Sequence, residues 1–251
     1  MPEEGLVAVA HGSADPRAAA AIGELIPLVA RRARDRGLSV PDLRIAYLGH
    51  ATPSVPQVMR AFGPDTQVTA LPLLLTAAYH SKTDIPRVLA SSRVPGLRVS
   101  YGGTLGPHSL LLRALERRLA EAAPAALEAP ERTAVVLAAA GSSDPEANAT
   151  VARLAAQWQA RTGWLAVRPA YASAADPTPD AAAAGLLRAG ADRVVVASYL
   201  LAPGLFADRV LRASLAAGAA AVSPVLGASA EVADVLLDRY AEAGTRQRAA
   251  A

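Results

Sequence analysis

Four histidines are the side chains of this sequence best suited to metal or proton chemistry near neutral pH. They are His11, His50, His80 and His108, and all four lie in the first half of the chain. Imidazole nitrogens bind borderline divalent metals such as Fe(II), Co(II), Ni(II) and Zn(II), and an unperturbed histidine titrates at about pH 6.5. Two converging imidazoles could therefore hold a metal ion and exchange protons with a bound molecule.

His11 opens the motif HGSADP, directly after an apolar run. Gly12 lets the backbone come close to a ligand, and a helix that begins after the motif favours anionic groups at its N-terminus. The alternative is a histidine that only caps the turn between a strand and a helix. The position of His11 favours the functional role.

His80 lies in the polar segment TAAYHSKTDIP, residues 76–86. Only the adjacent tyrosine could bury it, which favours a functional role. Lys82 either faces an acidic ligand or is solvated, and both alternatives stay open. Asp84 is expected to cap the helix that Pro86 helps to begin.

The other two histidines have weaker cases. His50 lies in a tight GHATP turn, where a functional residue and an exposed loop residue are equally compatible with the pattern. His108, in LGPHS, is expected at the start of a helix and has no predicted role in chemistry.

The apolar runs predict the scaffold that positions these histidines. Near-continuous runs of this kind are typical of strands buried on both faces, and each precedes one histidine, so we expect all four histidines at the carboxyl-end edge of a parallel sheet. Asp15 and Pro16 fit the cap and first turn of a helix. The runs are Leu6–Ala10, Leu43–Leu48, Val68–Leu75 and Leu97–Tyr101.

The sequence repeats itself once, which predicts two similar α/β domains from an internal duplication. LVAVAHGSADP is echoed by VVLAAAGSSDP, and three further motifs recur in the same order. We place the halves at residues 1–125 and 126–251, each a doubly wound parallel sheet, with an active-site cleft between them. The second half carries no histidine; the matching residues are Ala140, Ala174, Phe206 and Ser229. We therefore expect one metal site per chain.

Composition excludes several classes of protein. The 251 residues are 52% hydrophobic, enough for a buried core, and contain no cysteine, which excludes disulfides and thiolate metal sites. The formal charge of +3, without a basic run, does not favour nucleic acid as a partner. The sequence shows neither a signal peptide nor an apolar run of the ~18 residues that span a membrane, so we expect no membrane partner and a cytoplasmic location.

Three motifs together resemble a known family. HGSADP, the leucine-rich run that leads into TAAYHSKTDIP, and LGPHSLL are similar to the class II chelatases of the sirohydrochlorin chelatase family, the CbiX/SirB type. The resemblance covers nearly the whole chain, as a double-length, internally duplicated member. It implies a lyase that inserts Fe(II) or Co(II) into sirohydrochlorin or a related tetrapyrrole, for siroheme or cobalamin synthesis. The divalent metal is then a substrate, and no organic cofactor is implied.

The resemblance also implies site residues. The paired histidines of the family match His11 and His80, which would bind the metal and accept the pyrrole protons. Ser13, Arg17 and Lys82 are the candidates to bind the carboxylates of the substrate. The tetrapyrrole and the metal ion are the expected partners, and no oligomer is required because the duplication supplies both halves of the cleft.

One position departs from the family pattern. Members often carry a glutamate four residues before a proline, and this sequence has Gly49 there, four before Pro53. Either the adjacent His50 is a third metal ligand or the site uses two histidines and water. The absence of any extra metal-handling segment favours Fe(II) and siroheme, although the ligand set itself does not select between iron and cobalt.

Two other functions remain open from the residues. A non-catalytic tetrapyrrole or metal carrier could use the same fold. A histidine-dependent phosphoryl-transfer enzyme is less favoured, because Ala10 precedes His11 where such enzymes have an arginine that clamps the phosphate.

Overall fold

Eight strands form two separate four-stranded parallel sheets in the computed structural model, which describes residues 4–39, 42–78, 80–92 and 94–250. The first sheet has the order β2-β1-β3-β4 and the second the equivalent order β6-β5-β7-β8. The strands of the first sheet are β1 (Glu4–Ala10), β2 (Asp42–Tyr47), β3 (Gln67–Pro72) and β4 (Arg98–Tyr101). The strands of the second sheet are β5 (Thr133–Ala139), β6 (Ala166–Tyr171), β7 (Arg193–Tyr199) and β8 (Ala221–Val222).

Helices connect the parallel strands and cover both faces of each sheet. The first half contains α1 (Pro16–Gly23), α2 (Leu25–Asp35), α3 (Val55–Arg60), α4 (Ile85–Ser91) and α5 (Ser109–Ala122), with a π-helical turn at His80–Asp84. The second half contains α6 (Pro145–Arg161), α7 (Pro179–Arg188), α8 (Leu205–Ala216) and α9 (Ala230–Ala250). Short 3₁₀ turns lie at Pro124–Ala126 and Pro130–Arg132.

The cores follow from the alternation of side chains along buried strands. Val7 and Val9 point to the face that α3 and α4 cover, with Met59 and Ile85 fully buried there. Leu6 and Ala8, which point to the other face of β1, are also fully buried, so both faces of the sheet are covered. The predicted doubly wound α/β fold with two similar domains is thus confirmed.

The compact units of the structure differ from the two sequence halves in one helix each. The first unit contains the residues up to His108 together with those from Ala228, and the second contains Ser109–Gly227. Accordingly, α5 packs on β7 and β8, whereas α9 packs on β3 and β4 and along α2. The sequence division at residue 125 separates the two repeats but not the compact units, because hydrophobic patterning does not encode which sheet a helix covers.

Two bidentate or short ion pairs attach α9 to α2 within the first unit. Arg32 donates to Asp234 from Nε and Nη2, at 3.0 and 2.7 Å, and Arg36 Nη2 lies 2.6 Å from Asp238 Oδ1. Because these ion pairs are partly exposed, each contributes little to stability. Their main effect is to favour the packing of α9, rather than another helix, against α2. None of the described helices is long and apolar enough to cross a membrane.

Candidate active site

The candidate site lies at the carboxyl-end edge of the first sheet. β1 is flanked by β2 and β3, and all three run parallel, so the segments that follow them emerge at the same edge. His11 comes directly after β1, His50 three residues after β2, and His80 in the π-helical turn that follows β3. The fold therefore brings three of the histidine segments to one edge, where the sequence predicts all four. His108 instead directly precedes α5.

The loop of His11 is held against the turn of His50 by backbone bonds. The N–H of Leu48 donates to the carbonyl of Ala10 at 3.0 Å, and the N–H of Gly49 donates to the carbonyl of His11 at 3.2 Å. A Cβ at Gly12, where φ is +89°, would lie 1.7 Å from the carbonyl oxygen of Gly49. Only glycine allows this approach, so Gly12 is required for the His11 loop to lie against the turn of His50.

The ring of His11 is exposed, and one of its nitrogens lies against a backbone carbonyl. Its Nδ1 lies 3.1 Å from the carbonyl oxygen of Gly12. A carbonyl only accepts, so this bond requires the proton on Nδ1, and in the neutral ring the lone pair is then on Nε2. An imidazole oriented in this way is suited to bind a metal through Nε2.

His50 is exposed and has a left-handed backbone, with φ of +59°. Its counterpart in the second repeat, Ala174, has φ of +60°. The turn therefore requires this backbone conformation in both repeats, whatever the side chain. Histidine is one of the few non-glycine residues enriched in this conformation, so the turn geometry is compatible with His50 whether or not it has a role in chemistry.

The π-helical turn places the backbone of His80 between two fixed points. The N–H of Lys82 donates to the carbonyl of Ala78 at 3.0 Å, and the buried Oγ of Ser81 bonds both the N–H and the carbonyl of Ala78, at 3.1 and 2.9 Å. The side chain of Lys82 is exposed. The side chain of His80 lies outside the described part of the chain.

The turn also changes one prediction. Asp84 ends the π-helical turn and precedes α4, but its side chain makes no capping bond. Its backbone is already helical, at φ −70° and ψ −49°, whereas a capping side chain needs the extended backbone that usually precedes a helix. The predicted cap at Asp84 is therefore wrong.

The loop after His11 contains two of the predicted substrate-binding residues. Ser13 Oγ accepts the N–H of Asp15 at 3.1 Å, which is compatible with donation of its own O–H to a ligand. Asp15 caps α1 as predicted, accepting the N–H of Arg17 at 2.9 Å. Arg17 also donates from Nε and Nη2 to the Asp15 carboxylate, and these bonds lower the pKa of Asp15. Arg17 is thus exposed but already paired.

His108 has a different environment from the other three histidines. It directly precedes α5, as predicted, and its Nε2 lies 3.6 Å from Asp238 Oδ2. Burial lowers the pKa of His108, and the nearby Arg239 lowers it further, while Asp238 and Glu242 raise it less. The lone ion-pair distance would suggest a raised pKa, but desolvation is the larger effect at a side chain that is only 20% exposed.

The second unit repeats the backbone of the site without its imidazoles. The N–H of Ser173 donates to the carbonyl of Ala140 at 3.0 Å, as that of Gly49 does to His11. A Cβ at Gly141 would lie 1.9 Å from the carbonyl oxygen of Ser173, matching the approach at Gly12. The second repeat therefore keeps this backbone geometry with Ala140 and Ala174 in place of His11 and His50.

Among the side chains that the structure describes, no three His, Cys, Asp or Glu residues are grouped so that they could hold a metal ion. The set of His11, His50 and His80 includes one side chain outside that group and stays a prediction. So do the roles of Ser13, Arg17 and Lys82 in substrate binding.

Sequence reasoning missed two residues whose side chains bond loop backbone, one in each unit. Tyr101, at the end of β4, donates its hydroxyl to the carbonyl of Ser81 at 2.8 Å. In the second unit, Asn148 bonds both the N–H and the carbonyl of Ser142, at 3.0 and 2.7 Å. The available signal was the contrast between repeats, because Val222 and Ala19 stand at the matching positions.

The comparisons with known proteins agree with this description. The CbiX family model matches the chain twice, over residues 5–122 and 134–243. The sirohydrochlorin cobaltochelatase of Priestia megaterium is 29% identical over 212 residues, which cover 80% of this chain and 65% of the relative. The sirohydrochlorin ferrochelatase of Bacillus subtilis (strain 168) is 29% identical over 180 residues, 70% of this chain and 67% of the relative. The chain thus spans about two thirds of the length of these relatives.

A solved structure has the same fold over the whole chain. SirB from Bacillus subtilis with Fe3+ superposes with a TM-score of 0.78 at 25% identity, covering 98% of each chain.

Proposed function

The chain belongs to the CbiX family, and we propose that it is a chelatase that inserts Fe(II) or Co(II) into sirohydrochlorin or a related tetrapyrrole. The observation that carries the proposal is the His11 loop, which Gly12 holds against the turn of His50 at the edge where the His80 segment also emerges. The two curated relatives described above, one named for cobalt and one for iron, support both metals as substrates.

In the proposed reaction, the metal replaces two pyrrole N–H protons of the macrocycle. His11 binds the metal through Nε2, the nitrogen that carries the lone pair when Nδ1 donates to Gly12. His80 is the second ligand, and the imidazoles take up the leaving protons as general bases. His50 is the third ligand and stands in for the carboxylate absent at Gly49.

The carboxylates of the tetrapyrrole are bound by the loops around these histidines. Ser13 donates its hydroxyl, and Lys82 supplies an exposed positive charge. Arg17 is exposed in the same loop and pairs with Asp15 through Nε and Nη2, and it is the guanidinium that we propose for a substrate carboxylate. The second repeat, with Ala140 and Ala174, contributes no metal ligand.

The test is an anaerobic assay that follows the absorbance of sirohydrochlorin with Fe(II), Co(II) and Ni(II) in parallel. His11→Ala and His80→Ala are each expected to lower turnover at least 100-fold while circular dichroism stays unchanged. His108→Ala is the matched control, because it removes the one histidine outside the proposed site. Near wild-type turnover of both single variants would contradict the assignment.

The same assay separates the enzyme from a carrier. Conversion of many equivalents of sirohydrochlorin per chain is expected, and conversion of one equivalent only would favour the carrier. Titration with Co(II) is expected to give one tight site per chain; two equivalent sites would contradict the loss of function in the second repeat. The cytoplasmic location stays a prediction of the same proposal.

A further inference from the structure

The carbonyl of Ser81, next to His80, accepts a hydrogen bond from the side chain of a different strand. Tyr101 is the last residue of β4, the edge strand of the first sheet, and its hydroxyl lies 2.8 Å from that oxygen. Tyr101 is 37% exposed, and burial of the rest of the side chain raises its pKa to about 12. A tyrosine hydroxyl is protonated at neutral pH even at its ordinary pKa of about 10, so it can donate here. The bond ties the π-helical turn to the sheet.

Ser81 closes the same turn from the other side. Its Oγ both accepts from and donates to the backbone of Ala78, and the side chain is only 6% exposed. Two described residues of this segment, Ala78 and Ser81, are therefore bonded to each other, and His80 directly precedes the second of them. Without these bonds, a polar segment between a strand and a short helix has several conformations available.

The second repeat shows that the fold itself does not need this arrangement. Val222 occupies the position of Tyr101, since Tyr101 pairs with Ala70 on β3 and Val222 pairs with Val196 on β7. Ala207 follows Phe206 where Ser81 follows His80. β7 leads into α8 after five residues, without a π-helical turn. The tyrosine, the serine and the turn are thus present only in the repeat that carries the histidine.

We propose that Tyr101 and Ser81 are positioning residues that hold the π-helical turn so that His80 meets the metal in the orientation that insertion requires. This inference rests on the proposed function, specifically on His80 as a metal ligand. Tyr101 does not itself touch substrate; it acts through the carbonyl of Ser81.

The test uses Tyr101→Phe, which removes only the hydroxyl, and Ser81→Ala as a second variant. Loss of one such hydrogen bond is expected to weaken Co(II) binding and to lower kcat by about three- to tenfold, with KM for sirohydrochlorin within about twofold of wild type. The Co(II) absorption bands, which report ligand geometry, are expected to shift. A hydroxyl that served stability alone would change the thermal midpoint without moving these bands.

Tyr240→Phe is the matched control. The Tyr240 hydroxyl also donates a hydrogen bond, to Glu4 at 3.1 Å, and burial is the main reason that its pKa is likewise raised to about 12. Glu4, however, begins β1, so this bond lies at the amino ends of the strands, away from the proposed site. This variant is expected to retain wild-type metal binding and turnover.

A double variant distinguishes failure of this inference from failure of the proposed function. In the His80→Ala background, Tyr101→Phe is expected to cause no further loss of Co(II) affinity, because the residue it positions is gone. If His80→Ala itself behaves like wild type, the proposed function fails. If His80→Ala loses activity but Tyr101→Phe and Ser81→Ala do not, or if Tyr101→Phe acts equally with and without His80, the positioning role is overturned.

Discussion

The backbone of His50 is in the left-handed region, which is unfavourable for a residue with a Cβ. A left-handed backbone costs a non-glycine residue roughly 1–2 kcal/mol, and both repeats adopt it at this turn. In the second repeat the position is a small alanine, Ala174. At the proposed site it is instead an exposed imidazole beside the His11 loop. Because Ala174 has the same backbone without an imidazole, the cost belongs to the turn, and metal binding is the separate role that we propose for the His50 side chain.

Glycine at position 50 is therefore expected to raise stability and lower activity. His50→Gly relieves the left-handed strain and loses some of that gain to chain entropy, which leaves a gain of roughly 0.5–1 kcal/mol in the free energy of unfolding. Turnover is expected to fall about tenfold and the ranking of Fe(II), Co(II) and Ni(II) to change. Ala174→Gly is the control, with a similar gain and no change in turnover. Unchanged kinetics of His50→Gly with all three metals would make His50 an ordinary loop residue.

His108 predicts a pH dependence of stability. Burial, followed by Arg239, lowers the pKa of His108 in the folded protein, so the unfolded chain binds this proton more readily. The free energy of unfolding then rises with pH through the window between the lowered pKa and about 6.5, and this contribution is lost as the pH falls through the folded pKa. Asp238 and Glu242 limit the shift, and Arg246 lines the same groove.

His108→Gln is expected to flatten this part of the stability profile. Urea unfolding at intervals between pH 5 and 8 measures it, with wild type losing more stability than the variant toward pH 5. Parallel profiles for the two proteins would mean that His108 has the same proton affinity folded and unfolded.

At the scale of the element, the loop after the first strand of each repeat differs in one bond donor. Asn148, on α6, bonds both backbone groups of Ser142 and so closes the loop of the second repeat. The matching residue on α1 is Ala19, and the matching loop residue is Ser13. The loop with the proposed substrate-binding role therefore lacks the side chain that occupies the equivalent backbone in the other repeat.

Transfer of the asparagine is expected to impair the first repeat. In Ala19→Asn, the new amide competes for the backbone of Ser13, so KM for sirohydrochlorin is expected to rise about three- to tenfold, the worth of one hydrogen bond. Asn148→Ala should instead cost roughly 1–2 kcal/mol of stability and leave turnover unchanged. Steady-state kinetics and urea unfolding of both variants measure this; a rise in KM in Asn148→Ala alone would reverse the roles.

The elements themselves were largely predictable, and the exceptions have local causes. Apolar runs located all four strands of the first half. The predicted burial on both faces is wrong for β4, an edge strand in which Val99 and Tyr101 are exposed. The apolar run at Val68–Leu75 continues past the end of β3 at Pro72. The N–H of Leu73 still donates to the carbonyl of Val9 on β1, and the chain leaves the sheet after that bond. Asp84 failed as a cap because the π-helical turn before α4 has no signature in hydrophobic periodicity.

The candidate site was predictable to the level of segments and not of bonds. Parallel strands bring their carboxyl ends together, so the edge shared by the His11, His50 and His80 segments follows from the order of runs and histidines. The bond from Tyr101 to Ser81 joins residues 20 apart across two elements, and nothing in the spacing of either residue indicates it.

At the scale of the whole molecule, the sequence repeats and the compact units differ in which last helix they include. α5 ends the first repeat in sequence but packs on β7 and β8, and α9 ends the second but packs on β3 and β4. Both helices are amphipathic, so either could cover either sheet as far as the pattern shows. Of the two compact units, only the second, residues 109–227, is one continuous segment of the chain.

Two fragments of similar length are therefore expected to behave differently. The fragment 109–227 retains α5, whose Leu111, Leu112, Leu115 and Leu119 are at most 5% exposed in the structure. The fragment 126–251, cut at the repeat boundary, lacks them. At about 1.5–3 kcal/mol for each buried leucine, the loss is roughly 6–12 kcal/mol, comparable to the whole stability of a domain. We expect cooperative unfolding by circular dichroism for 109–227 and no folded baseline for 126–251. Because 126–251 contains every strand of the second sheet, cooperative folding of that fragment would show that α5 is dispensable and that the repeat is itself the folding unit.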